Sequence, residues 1–163
     1  MLFTPVPPYL KDKPIVSREE AYAMLITSSI TGFASIYAIY KGHYLSSIIP
    51  FGVLLTSINY WRHPTYGIRR NIDVAWCIFS LSMLLIISYN ASERAHYYLY
   101  TILGLICYPL SHYFHNNQQQ YMGTLMHGYM HILGGIGLFY LFSGDIPWLL
   151  EVAPETTEAS TMP

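Results

Sequence analysis

Apolar residues run in five long blocks along this chain, and the polar residues collect in the gaps between them. The blocks cover about Ala21–Tyr40, Tyr44–Trp61, Ile72–Tyr89, His96–Phe114 and Tyr121–Phe142. Each is about 17–22 residues long, enough for a helix rising about 1.5 Å per residue to cross a hydrocarbon core of about 30 Å. Ser17-Arg18-Glu19-Glu20 reads as a capping box ahead of the first block, the hydroxyl of Ser17 and the carboxylate of Glu20 each satisfying a backbone N–H that the helix start leaves free. Lys41-Gly42-His43, Arg62 to Asn71, Asn90 to Arg94 and His115 to Gln120 are the connections. They are short, so successive helices are expected to be antiparallel neighbours. Pro50 and Pro109 fall inside blocks, where a lipid-embedded helix tolerates a kink. The pattern predicts an all-α, polytopic bundle of about five transmembrane helices over residues 17–143, preceded by a Pro-rich arm (1–16) and followed by an acidic tail (144–163).

Composition agrees. Of 163 residues, 53% are hydrophobic and only 10% charged, against about 25% charged in an ordinary soluble domain. Mean hydropathy is +0.31. The net charge of −1 and the lack of a long Lys/Arg run give no surface for tracking a phosphate backbone, so nucleic acid is not an expected partner. The start, Met1 to Pro8, has no basic stretch and is broken by prolines, which leaves targeting to the first spanning helix. Tyrosines such as Tyr40, Tyr44, Tyr89, Tyr97, Tyr98, Tyr113 and Tyr121 lie near block ends, where an aromatic belt meets the headgroups.

Threading five spans puts Lys11, Lys13, Arg18, Arg62, Arg69 and Arg70 on one side and only Lys41 and Arg94, with the acidic tail, on the other. The excess of basic residues favours a cytosolic N-terminus and a lumenal or extracellular C-terminus, with an endomembrane such as the endoplasmic reticulum as the expected setting. The sequon Asn90-Ala91-Ser92 falls on the non-cytosolic side, close to the membrane.

Seven histidines in so apolar a chain need a reason, because ionisable groups at membrane depth are costly and face the bundle interior or a cavity. His63, His112, His115, His127 and His131 gather on the basic side, with Asp73 opening the third helix there. His127 and His131 are four apart, share one helix face and can reach one metal ion. The same spacing also suits two packed histidines bonded to carbonyls. The glutamate of a zinc-protease HExxH is absent. A further imidazole, His63, would give a three-histidine site with an open position, the set with which a catalytic zinc activates water, and Asp73 would serve as base.

Asn59 four residues before His63, Asp73 ten residues after it, and the segment His127-Gly128-Tyr129-Met130-His131-Ile132-Leu133-Gly134-Gly135-Ile136-Gly137 resemble the CREST superfamily. That group contains alkaline ceramidases, progestin and adipoQ receptors, and remodelling enzymes of lipid-anchored proteins. The resemblance implies zinc held by His63, His127 and His131, with Asp73 and the polar residue Asn59 beside it, and hydrolysis of a lipid amide or ester. Family members have about seven spanning helices, and their serine four residues before the histidine is Asn59 here. Depth is a further condition: His131 lies ~15 Å along the last helix from Tyr121, while His63 and Asp73 stay near the surface, so they meet only if the last helix protrudes by about two turns or the second continues past Pro64, which disfavours helix at His63.

The sequence leaves enzyme and non-enzyme open. One reading is a zinc-dependent, membrane-embedded hydrolase of a lipid amide or ester; the other is a multi-pass assembly partner, receptor-like module or scaffold bound to a membrane-protein partner. A haem held by His112 or His115 opposite His127 is a third. Membrane lipids are the surroundings in every case.

Overall fold

The computed structural model describes residues 14–147, so the expected Pro-rich arm lies outside the described residues except for its end, as does most of the acidic tail. Five α-helices follow one another: α1 (Arg18–Tyr40), α2 (Tyr44–Trp61), α3 (Ile68–Ile87), α4 (Arg94–Asn116) and α5 (Gln120–Ser143), with a single 3₁₀ turn at Ser88–Asn90. Among the described residues there is no strand, only one bridge from Pro14 to Thr65. Three of the helices, α1, α3 (counted with its 3₁₀ turn) and α5, are long and apolar enough to cross a membrane.

The helix starts are set locally. Both halves of the capping box form: the Ser17 N–H donates to Glu20 Oε2 at 2.8 Å and the Glu20 N–H donates to Ser17 Oγ at 3.2 Å. Helix α3 begins four residues earlier than the apolar run, because Gly67 at φ +139° turns the chain directly into helix and carries the polar stretch Arg69-Arg70-Asn71 with it. Helix α2 stops at Trp61, as Pro64 requires. Beyond it the Ile15 N–H donates to the Pro64 carbonyl at 2.8 Å, strapping the segment before α1 onto this turn.

Packing order differs from chain order: α3, α2, α1, α5, α4. Helix α2 runs antiparallel between α1 and α3; Ser35 Oγ donates to the Ser47 carbonyl at 2.8 Å and Ser57 Oγ to Asp73 Oδ1 at 3.0 Å. Helix α5 inserts between α1 and α4, parallel to the first and antiparallel to the second. Thr124 Oγ1 donates to Glu20 Oε1 at 2.8 Å at one end, and Tyr37 packs on Phe139 towards the other. Ser111 Oγ reaches the Gly123 carbonyl at 2.8 Å. The expectation that all successive helices neighbour one another therefore fails at one place. Helices α3 and α4 do not pack along their lengths, and meet through the 3₁₀ turn. The Ser92 N–H donating to the Asp145 carbonyl at 3.1 Å pins that turn to the end of α5 instead.

Much of what the helices bury is small or polar, and much of what they expose is large and apolar. On α1 the inner face is Ser28, Thr31, Gly32, Ala34, Ser35 and Ala38, whereas Tyr22, Ile26, Phe33 and Ile36 face outward. Helix α4 buries one stripe, Tyr97, Thr101, Gly104 and Ser111, and exposes Leu99, Ile102, Leu103, Leu105 and Ile106. In water this arrangement would waste the hydrophobic effect. In lipid it is what packing demands, since acyl chains are as apolar as leucine and helices associate through close backbone approach and interhelical hydrogen bonds.

Candidate functional site

Helix α5 brings His127 and His131 together one turn apart, with ring centroids 5.1 Å from each other. The flanking glycines place the pair. Gly128 lies against Met24 and Thr27 of α1, and a Cβ on Gly135 would stand 2.6 Å from Ile30, so α1 passes close on that side. On the α4 side a Cβ on Gly104 would come within 3.2 Å of the Met130 carbonyl. The imidazoles are thereby held inside the bundle. The Nε2 of His131 is buried with no hydrogen-bond partner.

From α2, the side chain that meets this pair is Trp61. Its buried indole stands edge-on to His127, centroids 5.4 Å apart and planes at 85°. The end of α2 and the second turn of α5 are therefore level. From α4, Tyr108 stands 6.3 Å from His127 and holds His112 edge-on at 4.7 Å.

The other expected residues are placed as follows. His63 lies beyond the end of α2 and is exposed; its N–H donates to the Tyr60 carbonyl at 3.1 Å and its carbonyl accepts from Thr65 at 2.9 Å, a local turn. Asp73 is buried in α3, its Oδ1 bonded by Ser57. Asn59 is half-buried, and its side-chain oxygen accepts from Arg62 Nη2 at 2.9 Å. Residues two apart on a helix point about 200° apart, so once Ser57 and Trp61 face inward, Asn59 faces away. His115 is bonded through Nδ1 to Gln120 Oε1 at 2.6 Å. Of the three expected ligands, the structure brings His127 and His131 together; among the described residues no three His, Cys, Asp or Glu side chains gather at metal-binding range.

Sequence reasoning did not single out Ser57, Trp61 or Tyr108 as site residues. The i, i+4 spacing of Ser57 and Trp61 was the available signal, since it puts a hydroxyl and an indole on one face of α2. Tyr108 gave no signal among sixteen tyrosines.

The donor set fits two positions of a zinc ion. Imidazole nitrogen is a preferred ligand, and a buried nitrogen with no partner is the atom such an ion would satisfy. The comparisons with protein-family models, with curated proteins and with solved structures found no match to this chain.

Proposed function

We propose that the chain is a five-pass membrane protein that holds a zinc ion through His127 and His131 near its basic end, as the site of a hydrolase acting on a lipid amide or ester. The observation that carries the reading is the buried, unpartnered Nε2 of His131 one turn from the His127 ring. A polar atom left unpaired in a membrane bundle is costly, and such atoms mark functional sites. In this reading His63 is the third ligand, on the turn two residues past Trp61, and Asp73 is the base, its carboxylate oriented by Ser57. Zinc would supply Lewis acidity and activate water near neutral pH.

The packing supports five spans rather than three. Helix α2 lies between α1 and α3, both long and apolar enough to cross, so it shares their environment. Helix α4 runs along α5 with Leu99, Ile102, Leu103, Leu105 and Ile106 outward, a surface suited to acyl chains. Arg18, Arg62, Arg69 and Arg70 at one end, against Lys41 and Arg94 at the other, support a cytosolic N-terminus and a lumenal C-terminus, in an endomembrane.

A second reading, a non-enzymatic partner of another membrane protein, is favoured by the pairing of only two expected ligands and by the broad apolar circumference of α3 and α4. One experiment separates the two. Detergent-purified protein is analysed for metal and assayed on amide- and ester-linked lipids, beside a His127→Ala, His131→Ala variant. About one zinc per chain and turnover, both lost in the variant, are expected for the hydrolase. A folded, metal-free, inactive protein that co-purifies with a membrane partner gives the second reading instead.

A further inference from the structure

His127 is gripped by aromatic rings from two helices that do not pack on one another. On one side is Trp61, 7% exposed and anchored in a small core with Tyr60 and Met24 of α1, against which Ile15 and Val16 also pack. On the other is Tyr108 of α4, 38% exposed, its ring at 65° to the imidazole. An indole has one N–H donor and no lone pair for a metal. Its contact with His127 can therefore only orient that ring. Metal-binding imidazoles are usually fixed by a hydrogen bond to the second ring nitrogen; around His127 the contacts are aromatic.

We infer that Trp61 and Tyr108 are positioning residues, an aromatic clamp that fixes the tilt of His127 so that its nitrogen shares one ion with His131. The inference rests on the metal-binding reading above and deepens it. It makes α2 and α4 contributors to metal affinity although neither donates a ligand through these side chains. It also puts a fluorophore beside the ion, since the indole is 5.4 Å from the ligand ring.

The test uses the full chain in detergent, titrated with Zn²⁺ by calorimetry and with Cu²⁺ by tryptophan fluorescence, in wild type, Trp61→Ala, Trp61→Phe, Tyr108→Ala and His127→Ala. Trp61→Ala and Tyr108→Ala are each expected to weaken Zn²⁺ binding by about 10–100-fold, the usual effect of losing a group that orients a ligand. Trp61→Phe, which keeps a ring in place, should retain wild-type affinity. Cu²⁺ should quench an emission component that is missing in Trp61→Phe and unquenched in His127→Ala. Tyr108 is exposed enough for its alanine variant to fold, so it carries the affinity test if Trp61→Ala melts early. Unchanged affinity in either alanine variant with a wild-type melting temperature overturns the clamp and leaves the metal site standing. A wild-type protein that binds neither ion overturns both.

Discussion

Asp73 illustrates how single side chains decide what this bundle tolerates. A carboxylate buried in a largely apolar helix needs partners, and Ser57 Oγ supplies one from α2 at 3.0 Å. Removing one partner of a buried bond to a charged group costs about 1.5–3 kcal/mol. Ser57→Ala is therefore expected to lower stability by roughly that amount, read from the melting temperature or from reversible denaturation in mixed micelles. Asn59→Ala should be nearly neutral, because its bond is to Arg62 on the outer side of the same helix. Equal losses in the two variants would mean that the inward face of α2 has been misassigned. The contrast also explains why Asn59 looked like a site residue from its sequence. Its distance from His63 matches the motif, but helical phase sends Ser57 and Trp61 inward together. Spacing to a histidine that lies past the helix end carries no information about facing.

At the level of the helix, ends were legible and neighbours were not. Ser17 with Glu20, and Pro64 after Trp61, act within one turn of chain, so helix boundaries there follow from local chemistry. The insertion of α5 between α1 and α4 depends on small residues scattered through apolar runs, where both lipid-facing and buried positions are uncharged. Gly134 and Gly135 read alike in sequence, yet only at one of them would a side chain meet a neighbour. A Cβ on Gly135 would meet the branched carbons of Ile30 at 2.6–2.7 Å, whereas one on Gly134 meets nothing within 4 Å. Gly135→Ala should destabilise the α1/α5 interface by about 1–3 kcal/mol, the usual cost of overpacking. Gly134→Ala should be neutral or stabilising by up to about 1 kcal/mol through helix propensity. Matched thermal melts of the two variants check this, and a reversed order would place α1 on the wrong face of α5. The HxxxH pair was legible for the same local reason as the caps, being one turn of one helix. The aromatic grip on it was not, because it comes from two other helices.

At the level of the whole molecule, the arc α3–α2–α1–α5–α4 fixes which helices are neighbours, and the number that cross the membrane sets which connections share a side. Three helices satisfy length and apolarity by themselves, and α2 and α4 fall short because Ser46, Ser47, Pro50 and Asn59 dilute one while tyrosines and histidines dilute the other. Termini alone cannot separate three spans from five, since both counts are odd and leave the ends on opposite sides. The turn after α1 and the turn after α2 do separate them. If α2 crosses, Lys41 and Tyr66 lie on opposite faces; if only α1, α3 and α5 cross, they lie on the same face. Both residues are exposed and accept a label. In a background with Cys77→Ala and Cys107→Ala, Lys41→Cys and Tyr66→Cys are introduced singly and treated in sealed, oriented vesicles with a membrane-impermeant maleimide. The antiparallel Ser35–Ser47 and Ser57–Asp73 bonds hold α2 along both neighbours; on the five-span proposal labelling is expected from opposite sides, with Tyr66 on the cytosolic face. Labelling of both from one side would remove α2 from the bilayer, and with it the level at which Trp61 meets His127.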